Sequence, residues 1–153
     1  MPKMCNVHAC SRTANAVDAS EINEDRKHQK EFLLTATLFQ RLGSAEGIAH
    51  LVDDAVAAHL ANPLIKTRYE QIKDMANVKQ LSREFFTAGS GGPSSYTRKG
   101  MLAAHKGMNV SEQEFLAVTD DIVGAMNKND IEEDAKKDVL AILYSLKDQT
   151  IRM

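Results

Sequence analysis

Apolar residues recur along this chain at spacings of three and four, and the interruptions divide it into helix-length blocks. Residues 1–20 carry no steady period. From Glu21 to Gln40 a helical phase is set by Phe32, Leu33, Leu38 and Phe39, and Gly43 stops it. Ser44 is placed to cap a second helix that runs to about Leu60 and carries Ile48, Leu51, Val52, Ala55 and Val56. Asn62-Pro63 breaks it, and Leu64, Ile65 and Tyr69 fall in a short irregular piece. A helix is predicted over Lys73 to Ala88. At 100° per residue its Met75, Val78, Leu81, Ser82, Phe85 and Phe86 lie within about 140° of one another, with Gln80, Arg83 and Glu84 opposite. Ser82 puts a hydroxyl inside that apolar arc.

The second half follows the same pattern. Gly89-Ser-Gly-Gly-Pro93-Ser-Ser-Tyr96 separates helices. Thr97–Lys106 reads as a short helical segment in which Met101, Leu102 and His105 share a face, and Gly107 cuts it. Ser111-Glu-Gln-Glu114 is a capping box, so a helix opens there and carries Phe115, Val118, Ile122, Val123 and Met126. Asp130-Ile-Glu-Glu133 predicts an acidic start for a last helix with Ala135, Val139, Leu140, Ile142, Leu143 and Leu146. No segment alternates with period two. The expectation is an all-α chain of about six helices.

Composition narrows the function classes. At 153 residues, with 43% hydrophobic and 26% charged residues, the chain has the balance of one soluble domain. A net charge of −2 gives no electrostatic case for nucleic acid or an anionic membrane surface. No apolar run approaches the roughly 20 residues of a membrane span. The first twenty residues lack an apolar signal core but are poor in acids until Asp18, so a transit peptide is only weakly indicated. Cys5 and Cys10 are too few for a disulfide framework and fit a reducing, cytoplasmic setting.

Two constellations carry candidate chemistry. Cys5, His8 and Cys10 put three soft ligands in six residues, whereas structural zinc sites use four. This leaves either a redox or metal sensor or a tail with two thiols. His105 is the stronger candidate. An imidazole among hydrophobes needs a partner for its ring nitrogens, since burying them unpaired costs roughly 1–3 kcal/mol. The partner is either an ordinary hydrogen bond, as in a helical interaction module with no cofactor, or a metal ion. A flat apolar cofactor needs one helix with a ligand and another with an apolar face across a gap. The His105 segment and the Met75–Phe86 face supply these, with Val56, Tyr69, Phe115, Val118 and Ile122 to close the sides.

The order of several short motifs bears on that choice. Leu38-Phe-Gln-Arg-Leu-Gly43, Val52-Asp-Asp54, Leu60-Ala-Asn-Pro63, Asp74-Met-Ala76, Phe85-Phe86, Gly91-Gly-Pro93, Tyr96-Thr97, His105-Lys-Gly-Met108 and Phe115, taken together, resemble the truncated haemoglobins, most closely group I. The resemblance covers about residues 36–148. It implies a truncated globin-like two-over-two helical sandwich around haem b, spanning 36–153, after a flexible tail over 1–20 and an extra helical extension over 21–35. It aligns His105 with the proximal iron ligand. Phe85 and Phe86 align with an aromatic pair beside the haem, and Phe115, Val118 and Ile122 with proximal-side contacts. Met101, Tyr69, Val78 and Ser82 join them as expected cofactor contacts. Lys79, with Arg98 and Lys99 as other candidates, is placed to reach a propionate.

The departures concern the opposite face. Where the family usually has a ligand-facing tyrosine this chain has Val56. Its usual phenylalanine after the short turn is Tyr69, and its distal glutamines are Val78 and Ser82. The expected distal pocket is therefore Val56, Tyr69, Val78 and Ser82. No histidine or lysine stands at the centre of that face; His59 and Lys79 are nearest. The expectation is a five-coordinate ferrous haem that binds oxygen, nitric oxide or carbon monoxide. With few donors, oxygen should leave faster or oxidise the iron sooner than in tyrosine-bearing relatives. Oxygen binding, nitric oxide scavenging and sensing are the roles the family implies. Nitric oxide dioxygenation would need an electron-donor reductase, and peroxidase-like activity would need a distal acid–base pair that the sequence does not display. An oligomer contact through residues 21–35 stays open.

Overall fold

The computed structural model describes residues 23, 24, 26–28, 31, 35–93 and 100–153. Contacts divide the chain into Met1–Thr35 and Ala36–Met153. Cys5, His8, Cys10, the expected tail and the cations Arg98 and Lys99 lie outside the described residues. So does part of the expected extension. Its described residues are helical, with Nδ1 of His28 donating to the Glu24 carbonyl at 3.0 Å. The site belongs to Ala36–Met153.

That unit begins with a helix much shorter than its apolar phase predicts. Thr37 caps α1, Leu38–Arg41, in a capping box with Gln40. The cap forces a start at residue 38, so Leu38 and Phe39 belong to a separate turn of helix. Gly43, at φ +81°, turns the chain into α2, Ser44–Ala61. Ser44 is the first helical residue at φ 59° and does not cap the helix. α3, Lys66–Glu70, is a five-residue helix where the sequence predicts irregular chain. α4, Met75–Gly89, starts at the side-chain cap of Asp74. α5 is Met101–His105. The capping box of Ser111 and Glu114 opens α6, Glu112–Lys128, as its motif predicts. α7, Glu133–Ser145, is capped by Glu132, two residues after the expected Asp130, because Asp130 takes a left-handed turn at φ 53°. A 3-10 turn, Lys147–Gln149, follows. Among the described residues β structure amounts to one parallel bridge, Val110 to Ile151.

α2 is the axis of this arrangement: α4 packs on one side of it and α6 on another, and α7 packs on α6. Leu42, Ile48, Leu51, Val52 and Met126 are almost fully buried at the α2–α6 seam. Truncating one such residue to alanine costs about 2–5 kcal/mol. Polar ties fix the helices in register. Asp54 accepts from Lys128 at 2.6 Å and from Asn129 at 2.8 Å, joining α2 to α6. Asp53 takes Lys79 at 2.9 Å and Arg83 at 3.1 Å, joining α2 to α4. The Lys79 hydrogen bond, opposed in part by burial, holds the Asp53 carboxyl below its ordinary range. None of the side chains of α4 is buried although α4 packs on α2. Its apolar arc borders a cavity instead. No helix among the described residues is long and apolar enough to cross a membrane.

Candidate functional site

The cavity measures about 460 Å³ and is bounded by α2, α3, α4, α5, α6, α7 and the chain after α7. That volume falls in the range of small-molecule and cofactor sites, roughly 300–1,000 Å³. α4 contributes Val78, Leu81, Ser82, Phe85 and Phe86, and α2 contributes Val52, Ala55, Val56 and His59. α6 adds Glu114, Phe115, Val118, Thr119 and Ile122, and α5 adds Met101, Ala104 and His105. The two phenylalanines meet edge to face at 5.9 Å. Phe115 is held the same way by Tyr144 at 5.7 Å. Leu102, expected on the His105 face, points out and is 50% exposed.

His105 closes a five-residue helix. Its Nδ1 lies 2.9 Å from the Met101 carbonyl, one turn back. A carbonyl can only accept, so Nδ1 carries the proton and the Nε2 lone pair is left available. This is the arrangement in which metal-ligating histidines are found: one nitrogen donated to a fixed acceptor, the other turned to the metal. The imidazole stands in an otherwise largely apolar wall, so the donor chemistry and the lining both suit a largely apolar cofactor that would take one nitrogen ligand.

Of the residues singled out from sequence, Val56, Tyr69, Val78, Ser82, Phe85, Phe86, Met101, His105, Phe115, Val118 and Ile122 all border this one cavity. Lys79 does not. Its ammonium is committed to Asp53, 2.9 Å away, on the side of α4 that faces α2. The Ser82 hydroxyl makes no hydrogen bond among the described residues.

Four polar wall residues, His59, Tyr69, Arg68 and Glu114, were not foreseen as a group. His59 is 4% exposed, and its Nδ1 lies 2.9 Å from Oδ2 of Asp121 on α6. Burial pushes the imidazole below its usual 6.5, with Asp121 opposing the shift in part. Tyr69 lies against the His59 ring, with centroids 4.7 Å apart. Burial, reinforced by the charge of Asp121, pushes its phenol up to about 12. On the rim, Arg68 makes a two-point ion pair with Glu114 and donates to the Met108 carbonyl at 3.0 Å. The Arg68 hydrogen bond takes the Glu114 carboxyl down to about 2. One signal for His59 was available: it follows Val56 by three residues and so shares its helix face. Arg68 and Glu114 come together over 46 positions, and no local pattern joins them.

Comparison with known proteins gives this geometry a lineage. Residues 37–152 match the bacterial-like globin family. A group 1 truncated haemoglobin of Tetrahymena thermophila is 30% identical over 92 residues, 60% of this chain and 75% of the relative. The crystal structure of the truncated haemoglobin of Tetrahymena pyriformis in its Fe(III) form superposes with a TM-score of 0.73 at 21% identity, covering 77% of this chain and 100% of that one. The 2/2 haemoglobin of Synechococcus sp. PCC 7002, in a cyanomet state with covalently attached haem, gives a TM-score of 0.67 at 24% identity over 74% and 95% of the two chains. These two likenesses concern the fold; the match over residues 37–152 and the Tetrahymena thermophila relative carry the kinship, and the chain belongs to the bacterial-like, truncated 2/2 globins, a haem-binding family.

Proposed function

We propose that the chain holds haem b in this cavity, with Nε2 of His105 as its axial protein ligand, and binds a diatomic gas on the opposite side. The observation that carries the reading is the His105 ring itself, its Nδ1 spent on the Met101 carbonyl and its other edge in a wall of apolar side chains. The relatives support it: the Tetrahymena pyriformis protein is an Fe(III) form and the Synechococcus protein carries haem. Haem supplies a coordinating iron, and the protein supplies the axial ligand, pocket polarity and access. Phe85, Phe86, Met101, Phe115, Val118 and Ile122 exclude water from the macrocycle. Val56 and Val78 offer the gas no hydrogen bond; Ser82 and Tyr69 are uncharged donors in the wall, while the Thr119 and Thr150 hydroxyls there are committed to the Phe115 and Leu146 carbonyls. Oxygen, nitric oxide and carbon monoxide all suit such a pocket, in oxygen binding, nitric oxide scavenging or sensing.

Absorption spectra of the purified protein in ferric, ferrous and carbon monoxide-treated forms test the reading. A Soret band and a five-coordinate ferrous spectrum are expected. A colourless protein that takes up no added haem overturns the cofactor. Sharp six-coordinate ferrous bands overturn the open iron. Placing a donor at the apolar position, Val56→Tyr, should slow oxygen release about tenfold, the worth of one hydrogen bond of roughly 1.4 kcal/mol. An unchanged rate would show that another residue already donates.

A further inference from the structure

We propose that His59 and Asp121 form a base built into the cavity wall, which takes the proton of a small weak acid, H–X, as that molecule enters and binds as its anion. The His59 side chain is 6% exposed and Asp121 14%, and neither is part of the motifs that mark the family resemblance. Nδ1–H of His59 donates to Oδ2 of Asp121 at 2.9 Å. Asn62 donates to both oxygens of the same carboxylate, at 3.0 and 3.2 Å, and its own carbonyl accepts from the Leu64 amide at 3.2 Å. That last bond fixes which way the Asn62 amide faces. The carboxylate is therefore held, and the Tyr69 ring, tilted 33° against the imidazole, limits its rotation. The nitrogen that remains is Nε2. It has no partner among the described residues, and its ring is part of the cavity wall.

The protonation state decides what this nitrogen can do. With Nδ1 carrying the proton, a neutral ring presents a lone pair at Nε2, an acceptor and not a donor. Oxygen, nitric oxide and carbon monoxide have no proton to give, so His59 offers them no hydrogen bond. A weak acid has one. As H–X enters, its bond breaks with the electron pair left on X, and the proton forms an N–H bond at Nε2. The imidazolium is then balanced by Asp121, and net charge is unchanged. Among the described residues no neighbouring group competes with His59 for the proton. From α3, Tyr69 is far too weak an acid to interfere, and Arg68 is matched by Glu114 of α6. His105 of α5 borders the same cavity with its Nδ1 committed to Met101. Burial holds the free imidazole neutral, and the carboxylate behind it favours the charged form once a proton arrives. This proposal rests on the haem reading, because haem iron is what would take up the anion.

The test compares hydrogen cyanide binding to the ferric holoprotein with carbon monoxide binding to the ferrous one, by stopped flow at neutral pH. His59→Gln keeps an amide that can reach Asp121 but cannot take a proton. It should lower the ratio of the cyanide to the carbon monoxide association rate about 100-fold, the scale of a positioned base. Asp121→Asn should lower it less, because the ring stays but its charged partner is gone. A ratio that does not move, or equal slowing of both ligands, overturns the proposal. So do six-coordinate ferrous bands that disappear in His59→Gln, since His59 would then be a ligand to iron. The haem-free protein gives an independent readout in nitrogen-15 spectra of the imidazoles. The proton of His59 is expected on Nδ1 and should redistribute in Asp121→Asn; a proton found on Nε2 overturns the proposal whatever the haem does. If the wild type takes up no haem, the reading of the cofactor fails and the nitrogen-15 result still judges His59.

Discussion

Two histidines border one cavity, and each gives its Nδ1 to an oxygen, but the oxygens differ in kind and in origin. His105 uses a backbone carbonyl one turn behind it on a five-residue helix. His59, inside the 18-residue α2, uses a carboxylate 62 positions away on α6. The first bond is local and forms wherever that turn of helix forms. The second exists only when α2 and α6 are packed. A carbonyl responds weakly to a change of charge on the ring, whereas a carboxylate binds an imidazolium more tightly than a neutral imidazole. The first arrangement therefore suits a steady lone pair and the second suits a ring whose protonation changes.

The sharpest way to break this comparison is to remove each imidazole in turn. In the proposed function His105→Ala loses the axial ligand, and haem affinity should fall by more than about 100-fold, beyond the 10–100-fold that supporting residues contribute. Haem titration followed at the Soret band measures it. His59→Gln should retain haem. Equal loss in both variants would make the two walls equivalent. The fold should respond in the opposite order. Asp121→Ala removes the acceptor for buried His59 and for Asn62, and should cost about 2–3 kcal/mol in urea unfolding of the haem-free protein. His105→Ala breaks one local hydrogen bond of a half-buried ring and should cost about 1 kcal/mol or less.

The same contrast explains what could be read from sequence. His105 was visible because everything that sets its orientation lies within a few residues: Met101 one turn back and Gly107 two residues on. The apolar arc of α4 was visible for the same reason, since one helix has one phase. The capping boxes at Thr37 and Ser111 are equally local, yet only the second was recognised, because the apolar phase of Leu38 and Phe39 runs on from the residues before Thr37. α3 escaped notice because five residues are too few to show a period. Lys79 follows Val78 of the arc, and a flexible chain there can turn either way. Asp53 on α2 decided it. Spacing puts His59 on the face of Val56, but its bond to Asp121 and the Arg68–Glu114 pair depend on contacts across tens of positions, and no spacing along the chain reports those partners.

Arg68 offers the finest test, because it spans the two walls. It pairs with Glu114 at the start of α6 and donates to the Met108 carbonyl at 3.0 Å, while the Met108 amide donates to the His105 carbonyl at 3.0 Å. Glu114 also accepts from the Ser111 amide at 2.8 Å as half of the capping box. Glu114→Gln separates these duties, because glutamine can still complete the box but cannot balance the guanidinium. It should cost about 1–2 kcal/mol, the worth of a charge-assisted bond over a neutral one. Acid should do the same to the wild type. The Glu114 carboxyl falls from 4.5 to about 2 on folding, so the contribution is complete above about pH 4.5 and is lost as pH falls toward about 2. Urea midpoints measured across that range should converge for wild type and variant at the acid end. A constant gap would mean that the charge of Glu114 does not carry the tie, and that the strap behind His105 is held by the backbone bonds alone.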